Sequence, residues 1–195
     1  MKKHSLAAAS VLAAVVLAAA PARAQVFTPT FQSTERSNDI GIYLSDGPGD
    51  LAVEGIWRRS FGTGDLGLRA GFGDLGDGEL LLGADWRQPL ALGTQPIDVG
   101  LTFGAQVVAG DIDVLGAQVG LVFGHTFVEQ GLHVTPYVHP RLAIAGDVGN
   151  EGNDADLDVL TDIGADFRFA PNLVLRLGIN IGDGADWGIG LAWRR

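Results

Sequence analysis

The chain has 195 residues, 47% of them hydrophobic, a formal net charge of -10 and no cysteine. Without thiols it can hold no disulfide, thiolate nucleophile or cysteine-ligated metal. Its lysines are Lys2 and Lys3 alone, and a chain this acidic and this poor in cations speaks against a nucleic-acid interface.

Taken in chain order, residues 1–24 place two lysines before an apolar run from Leu6 to Ala19 and end in small residues around Arg23. That is the pattern of a secretory signal cut after Ala24; the run is shorter than the roughly 20 apolar residues of a spanning helix. About 170 residues remain, enough for one domain. Residues 25–37, QVFTPTFQSTERS, form a polar lead-in without a clear period.

From residue 38 onward the pattern is period two. In IDVGLTFGAQVVAG (97–110), Ile97, Val99, Leu101, Phe103, Ala105 and Val107 fall on one face of a strand, and Asp98, Gly100, Thr102, Gly104 and Gln106 on the other. Residues 172–182 behave alike. The same template predicts strands near 39–45, 50–60, 65–74, 78–88, 97–109, 113–127, 131–145, 156–169, 172–182 and 185–194. This is an all-β, antiparallel up-and-down meander of about ten strands, with eight as the alternative because the first is short.

Two kinds of turn alternate. SDGPGD, DLGDGE, AGDID, GDVGNEGNDAD and GDGAD carry Asp and Gly and no cation, whereas SFGTGD, QPLALGTQP, VEQG and APN do not share that acidity. Strict alternation puts the two sets at opposite ends of the sheet, so one end is acidic.

At the other end each returning strand closes on an aromatic followed by an arginine, as in GIWRR, GADWRQ, GADFRF and the terminal GLAWRR. Trp57, Trp86, Phe167 and Trp193, with Phe123 and Phe127 on a fifth strand, lie on the apolar face at one height. A ring of this kind is the girdle of a membrane barrel, because amphipathic rings prefer the headgroup level. The polar face is crowded with glycines, among them Gly67, Gly104, Gly116, Gly164, Gly188 and Gly190. On a water-facing sheet these would only weaken it, whereas in a narrow lumen they make room for side chains from across it.

With these features the chain resembles the small outer-membrane β-barrel proteins of Gram-negative bacteria, the class of porin-like and OmpA- or OmpX-type barrels. The resemblance is one of architecture. It implies a transmembrane β-barrel over 38–195, outer-membrane lipid and lipopolysaccharide around it, both termini in the periplasm, and a C-terminal signal read by the barrel-assembly machinery. Gly190 and Trp193 match that signal; Arg195 stands where the usual final aromatic would be.

The lumen face would carry Arg58, Arg69, Asp85, Arg87, His139, Arg141, Asp162, Asp166, Arg168 and Arg176, along with Glu54, His133 and Asp158. Hairpin pairing brings His139 and Arg141 opposite Asp162, with Asp166 nearby. Buried charges persist mainly when paired, so the expectation is an ion-pair network plugging a narrow lumen; the other reading of the same residues is a polar conduit. Catalysis is not expected. The predicted strands offer little serine beyond Ser45 and Ser60, at opposite ends, and His133 and His139 are roughly 20 Å apart along a strand, too far to share a metal. No cofactor is expected, and the acidic loops lack the spacing of an EF-hand. The functions left are a structural or porin-like membrane protein, a small-solute channel, or a soluble periplasmic barrel holding an apolar ligand. The oligomeric state is open.

Overall fold

The computed structural model describes residues 27–46, 51–73, 78–91, 96–110, 113–148, 155–182 and 185–195; the expected signal and most of the acidic turns lie outside them. The strands are β1 (Asp39–Ser45), β2 (Ala52–Phe61), β3 (Gly64–Gly73), β4 (Glu79–Leu90), β5 (Asp98–Ala109), β6 (Val114–Gly124), β7 (Phe127–Glu129), β8 (Leu132–Asp147), β9 (Ala155–Ala170), β10 (Leu173–Ile181) and β11 (Ala185–Arg194). Pairing is antiparallel between chain neighbours throughout, except that β6 and β7 both pair with β8, and β1 also pairs with β11, from Asp39↔Arg194 to Ser45↔Gly188. The sheet therefore closes, and the short first strand is the one that closes it.

β6 and β7 are two pieces of one barrel strand, so the barrel has ten strands, the larger of the two expected counts. Both pieces pair with β8 in a single register, Gly120↔Arg141, Phe123↔Val138 and Phe127↔Val134. The pairing lapses opposite Pro140 and Pro136, which have no N–H to give the ladder. Beyond β7 the chain reverses through Gln130 and Gly131, at φ 50° and 87°, the two positive angles of a tight hairpin turn.

Alternation decides which face meets what. Ile42, Leu82, Phe103, Val119, Val138, Ile163, Ile179 and Ile189 are all exposed on the outside, on eight different strands. The charged residues Glu54, Arg58, Arg69, Asp85, Arg87, Arg141, Asp162, Asp166 and Arg176 are all buried on the inside. This is a soluble barrel turned inside out, and an apolar belt this continuous is stable only in hydrocarbon. The chain is a transmembrane β-barrel. Trp57, Trp86, Phe123, Phe167 and Trp193 alternate with inward residues and so share the outer face, Trp57 and Trp193 both registering with Ile40. Phe72 and Trp187, also exposed, add aromatics toward the acidic end that the sequence reading did not single out.

Inward glycines are the sites of closest packing. A Cβ on Gly190 would overlap the Tyr43 ring, one on Gly188 the Phe31 ring, one on Gly116 the Phe27 ring and one on Gly164 the Tyr137 hydroxyl.

Two outcomes check this assignment. Ile42→Arg and Val119→Arg, at the middle of β1 and β6, should each cost about 2–4 kcal/mol in refolding from urea into lipid vesicles, the penalty of a cation at the bilayer midplane; unchanged stability in both would reverse the faces. Gly190→Val should cost about 1–3 kcal/mol by overpacking against Tyr43, a loss that Tyr43→Ala in the same chain should partly restore.

Candidate functional site

The lumen is not lined by barrel residues alone. Residues 27–37, the stretch without a period, lie inside it: Phe27, Thr28, Thr30, Phe31, Gln32, Ser33 and Ser37 are buried. Phe27 packs with Ala52, Leu81, Val108, Ala143 and Leu160, toward the acidic-turn end. Glu35 and Arg36 meet Arg194, Asp65 and Gly62 near the opposite rim. The segment therefore runs the length of the lumen before β1 begins. Phe27 thus lies at the acidic-turn end and Arg36 at the opposite rim.

This segment forms no ladder because Pro29 lacks an N–H and because the lumen's side chains take its backbone groups instead. Arg69 Nη2 donates to the Pro29 carbonyl at 3.2 Å and Arg58 Nη2 to the Thr30 carbonyl at 2.7 Å; Arg87 donates to the Ser33 carbonyl. These three arginines come from β2, β3 and β4, one wall of the barrel.

Carboxylates take the segment's donors. Thr28 donates to Glu54 at 3.1 Å, the Thr30 N–H to Asp162 at 3.2 Å, Ser33 to Asp166 at 2.6 Å and Gln32 to Asp85, while Asn180 donates to the Phe27 carbonyl at 3.3 Å.

Two aromatic anchors sit four residues apart. The Arg141 guanidinium lies 5.7 Å from the Phe27 ring centre, within cation–π range. Phe31 packs on Tyr43 with ring centres 4.7 Å apart, beside Ile56 and Ala192. Phe31 is held at φ 50°, a left-handed conformation that costs a bulky residue about 1–3 kcal/mol and persists only where its surroundings fix it.

The remaining charges pair among themselves and with the segment. Asp162 receives Arg141 at 2.9 Å and faces His139 in register; Glu54 receives Arg69 at 2.8 Å. Arg176 reaches Asp39 at 2.6 Å and Asp166 at 3.3 Å, so Asp166 serves Ser33 and Arg176 rather than the His139 cluster. Arg58 lies 3.9 Å from Asp85, and Arg87 pairs with Asp65. Arg168 is less buried and meets Glu35 at 3.3 Å and His133. Glu35, Asp39, Tyr43 and Asp65 belong to this network and were not among the residues singled out from sequence.

One line of groups has the order of a proton relay: Thr102 Oγ1 is 2.7 Å from His139 Nε2, and His139 Nδ1 is 3.4 Å from Asp162. Thr102, His139 and Asp162 are each 3% exposed or less, and Asp162 is committed to Arg141 and Thr30. With the segment in place the hydroxyl is covered, and the line ties β5, β8 and β9 together. Among the described residues no group of three or more His, Asp or Glu is placed to hold a metal.

No protein-family model and no curated protein sequence matches the chain. Among solved structures, LpxR from Salmonella typhimurium is similar over 80% of this chain and 100% of its own, at 8% identity and TM-score 0.47. The KdgM porin in complex with disordered oligogalacturonate is similar over 80% and 98%, at 9% identity and TM-score 0.46. The Yersinia pestis outer membrane protein Ail is similar over 83% and 100%, at 13% identity and TM-score 0.42. These are likenesses of architecture between outer-membrane barrels and this ten-stranded barrel, and no functional residue is carried over from them.

Proposed function

We propose that the protein is an integral outer-membrane barrel with a structural or porin-like role whose lumen is closed at rest, by residues 27–36 together with the ion pairs around them. We also propose that it is not an enzyme, that residues 1–24 are its secretory signal, and that the barrel-assembly machinery inserts it among lipopolysaccharide and outer-membrane lipid. The observation that carries the closed reading is the filling of the lumen. One void in it, beside Gln32, Ser33 and Arg87, is about 10 Å³, room for a single water at most. The apolar outer belt also disfavours a soluble apolar-ligand carrier, whose pocket would have to be where the segment now lies.

A channel for a small solute is the second reading. It is favoured by the arginines of β2, β3 and β4, which would line a polar path if the segment left.

Wild-type protein in planar bilayers should show little or no steady conductance. Arg141→Ala with Arg168→Ala should be less stable and leak cations past the carboxylates left behind. Large, steady wild-type channels would overturn the closed reading and promote the channel.

We propose that the acidic turns face the outside of the cell and the opposite end the periplasm. A protease site inserted between Gly149 and Asn150 should be cut on intact cells, and one after Gly93 should be protected; the reverse pattern would turn the barrel over in the membrane.

A further inference from the structure

The contacts of residues 27–36 divide in a way that covalent continuity does not require. Three arginines hold carbonyls, a form of recognition indifferent to side chain. Hydroxyl and amide side chains at Thr28, Thr30, Gln32 and Ser33 each meet a carboxylate of the wall. Phe27 and Phe31 fill two separate apolar pockets, each opened by a glycine, Gly116 and Gly188. Backbone clamps, alternate polar contacts and two aromatic anchors are the parts of a site for an extended peptide. The sequence shows the same division, since between Gln25 and Thr34 the segment carries no charge while the wall around it is densely charged.

We infer that the lumen is a binding site for an extended polypeptide with an aromatic residue, hydroxyls one and three positions later and a second aromatic at the fourth, and that residues 27–36 are its resident ligand. The inference rests on the reading that this segment closes the lumen, and it adds that the segment is held by its own contacts and can be exchanged for another peptide of the same pattern. Exchange would couple occupancy of the lumen to its opening.

The experiment uses the full chain with a site-specific protease sequence inserted after Arg36, which is exposed at the rim. The protein is folded in detergent, then cut, and a fluorescent synthetic peptide of residues 27–36 is added. The cut fragment should stay with the barrel on gel filtration, and excess labelled peptide should replace it. A peptide carrying Phe27→Ala and Phe31→Ala should compete at least about tenfold more weakly, since each anchor fills a pocket of its own. Loss of the fragment on cutting with no uptake of peptide would overturn the inference, and so would a fragment that no peptide displaces short of unfolding.

Should the insertion prevent folding, the uncut chain with Phe27→Ala and Phe31→Ala supplies the second arm. Its weakened resident segment should raise uptake of the labelled peptide about tenfold over wild type, and equal uptake by the two would overturn the inference. Conductance of the uncut wild type tests closure separately. A barrel that is closed but never exchanges loses only this inference, whereas a conducting wild type loses the closure on which it rests.

Discussion

The constraint behind the rest of the structure is that a narrow barrel in hydrocarbon has nowhere but its own interior to satisfy polar groups. Backbone groups are satisfied by closing the sheet, which falls to β1 and its registers with β2 and β11. Inward arginines are a harder matter, because a guanidinium has five donors and a carboxylate opposite it accepts only some of them. At Arg58, Arg69 and Arg87 one further donor each goes to a carbonyl of a stretch of chain that has no ladder of its own. Each side supplies what the other lacks: the segment has unpaired carbonyls, the wall has surplus donors.

That reciprocity also explains the glycines. A closed ten-stranded barrel already admits side chains across its lumen, but a second layer of backbone plus two phenylalanines needs more room than ordinary inward residues would leave. The space is cut locally, at Gly116 for Phe27 and at Gly188 for Phe31, while Gly190 makes way for the Tyr43 ring that packs against Phe31. The positive φ of Phe31 belongs to the same account, since the backbone strain is accepted where it delivers the ring into a prepared pocket.

The strands were legible because a sheet with lipid on one side and charge on the other enforces period two without relief. β5 and β10 read directly, and the aromatic–arginine repeats marked where the strands returned. Hairpin register was legible wherever consecutive strands were partners, which is why His139 could be set against Asp162 from sequence. Contacts that depend on closure were not. Arg176 meets Asp39 and Tyr43 only because the first strand lies beside the last, a pairing between residues 133 to 137 positions apart that no local pattern announces. The split of β6 from β7 needed the prolines of the partner strand rather than anything in the strand itself.

The lead-in was opaque for a physical reason: it obeys no period because it packs against walls on all sides. A strand in a sheet sorts its residues into two faces, whereas a chain inside a tube can bury Thr28, Thr30, Phe31, Gln32 and Ser33 in near succession. What marked it in the sequence was a mismatch of composition, two phenylalanines four apart among hydroxyls and amides, with no charge until Glu35. A solvated periplasmic tail would gain nothing from either phenylalanine and would pay no penalty for charge. An uncharged, hydroxyl-rich segment with paired aromatics suits a space where charge is already balanced on the wall and every added ion would need a new partner. The charges resume at Glu35 and Arg36, where the segment reaches the rim and meets the partly exposed Arg168 and Arg194, and it is there that an ion pair can be screened by water rather than buried.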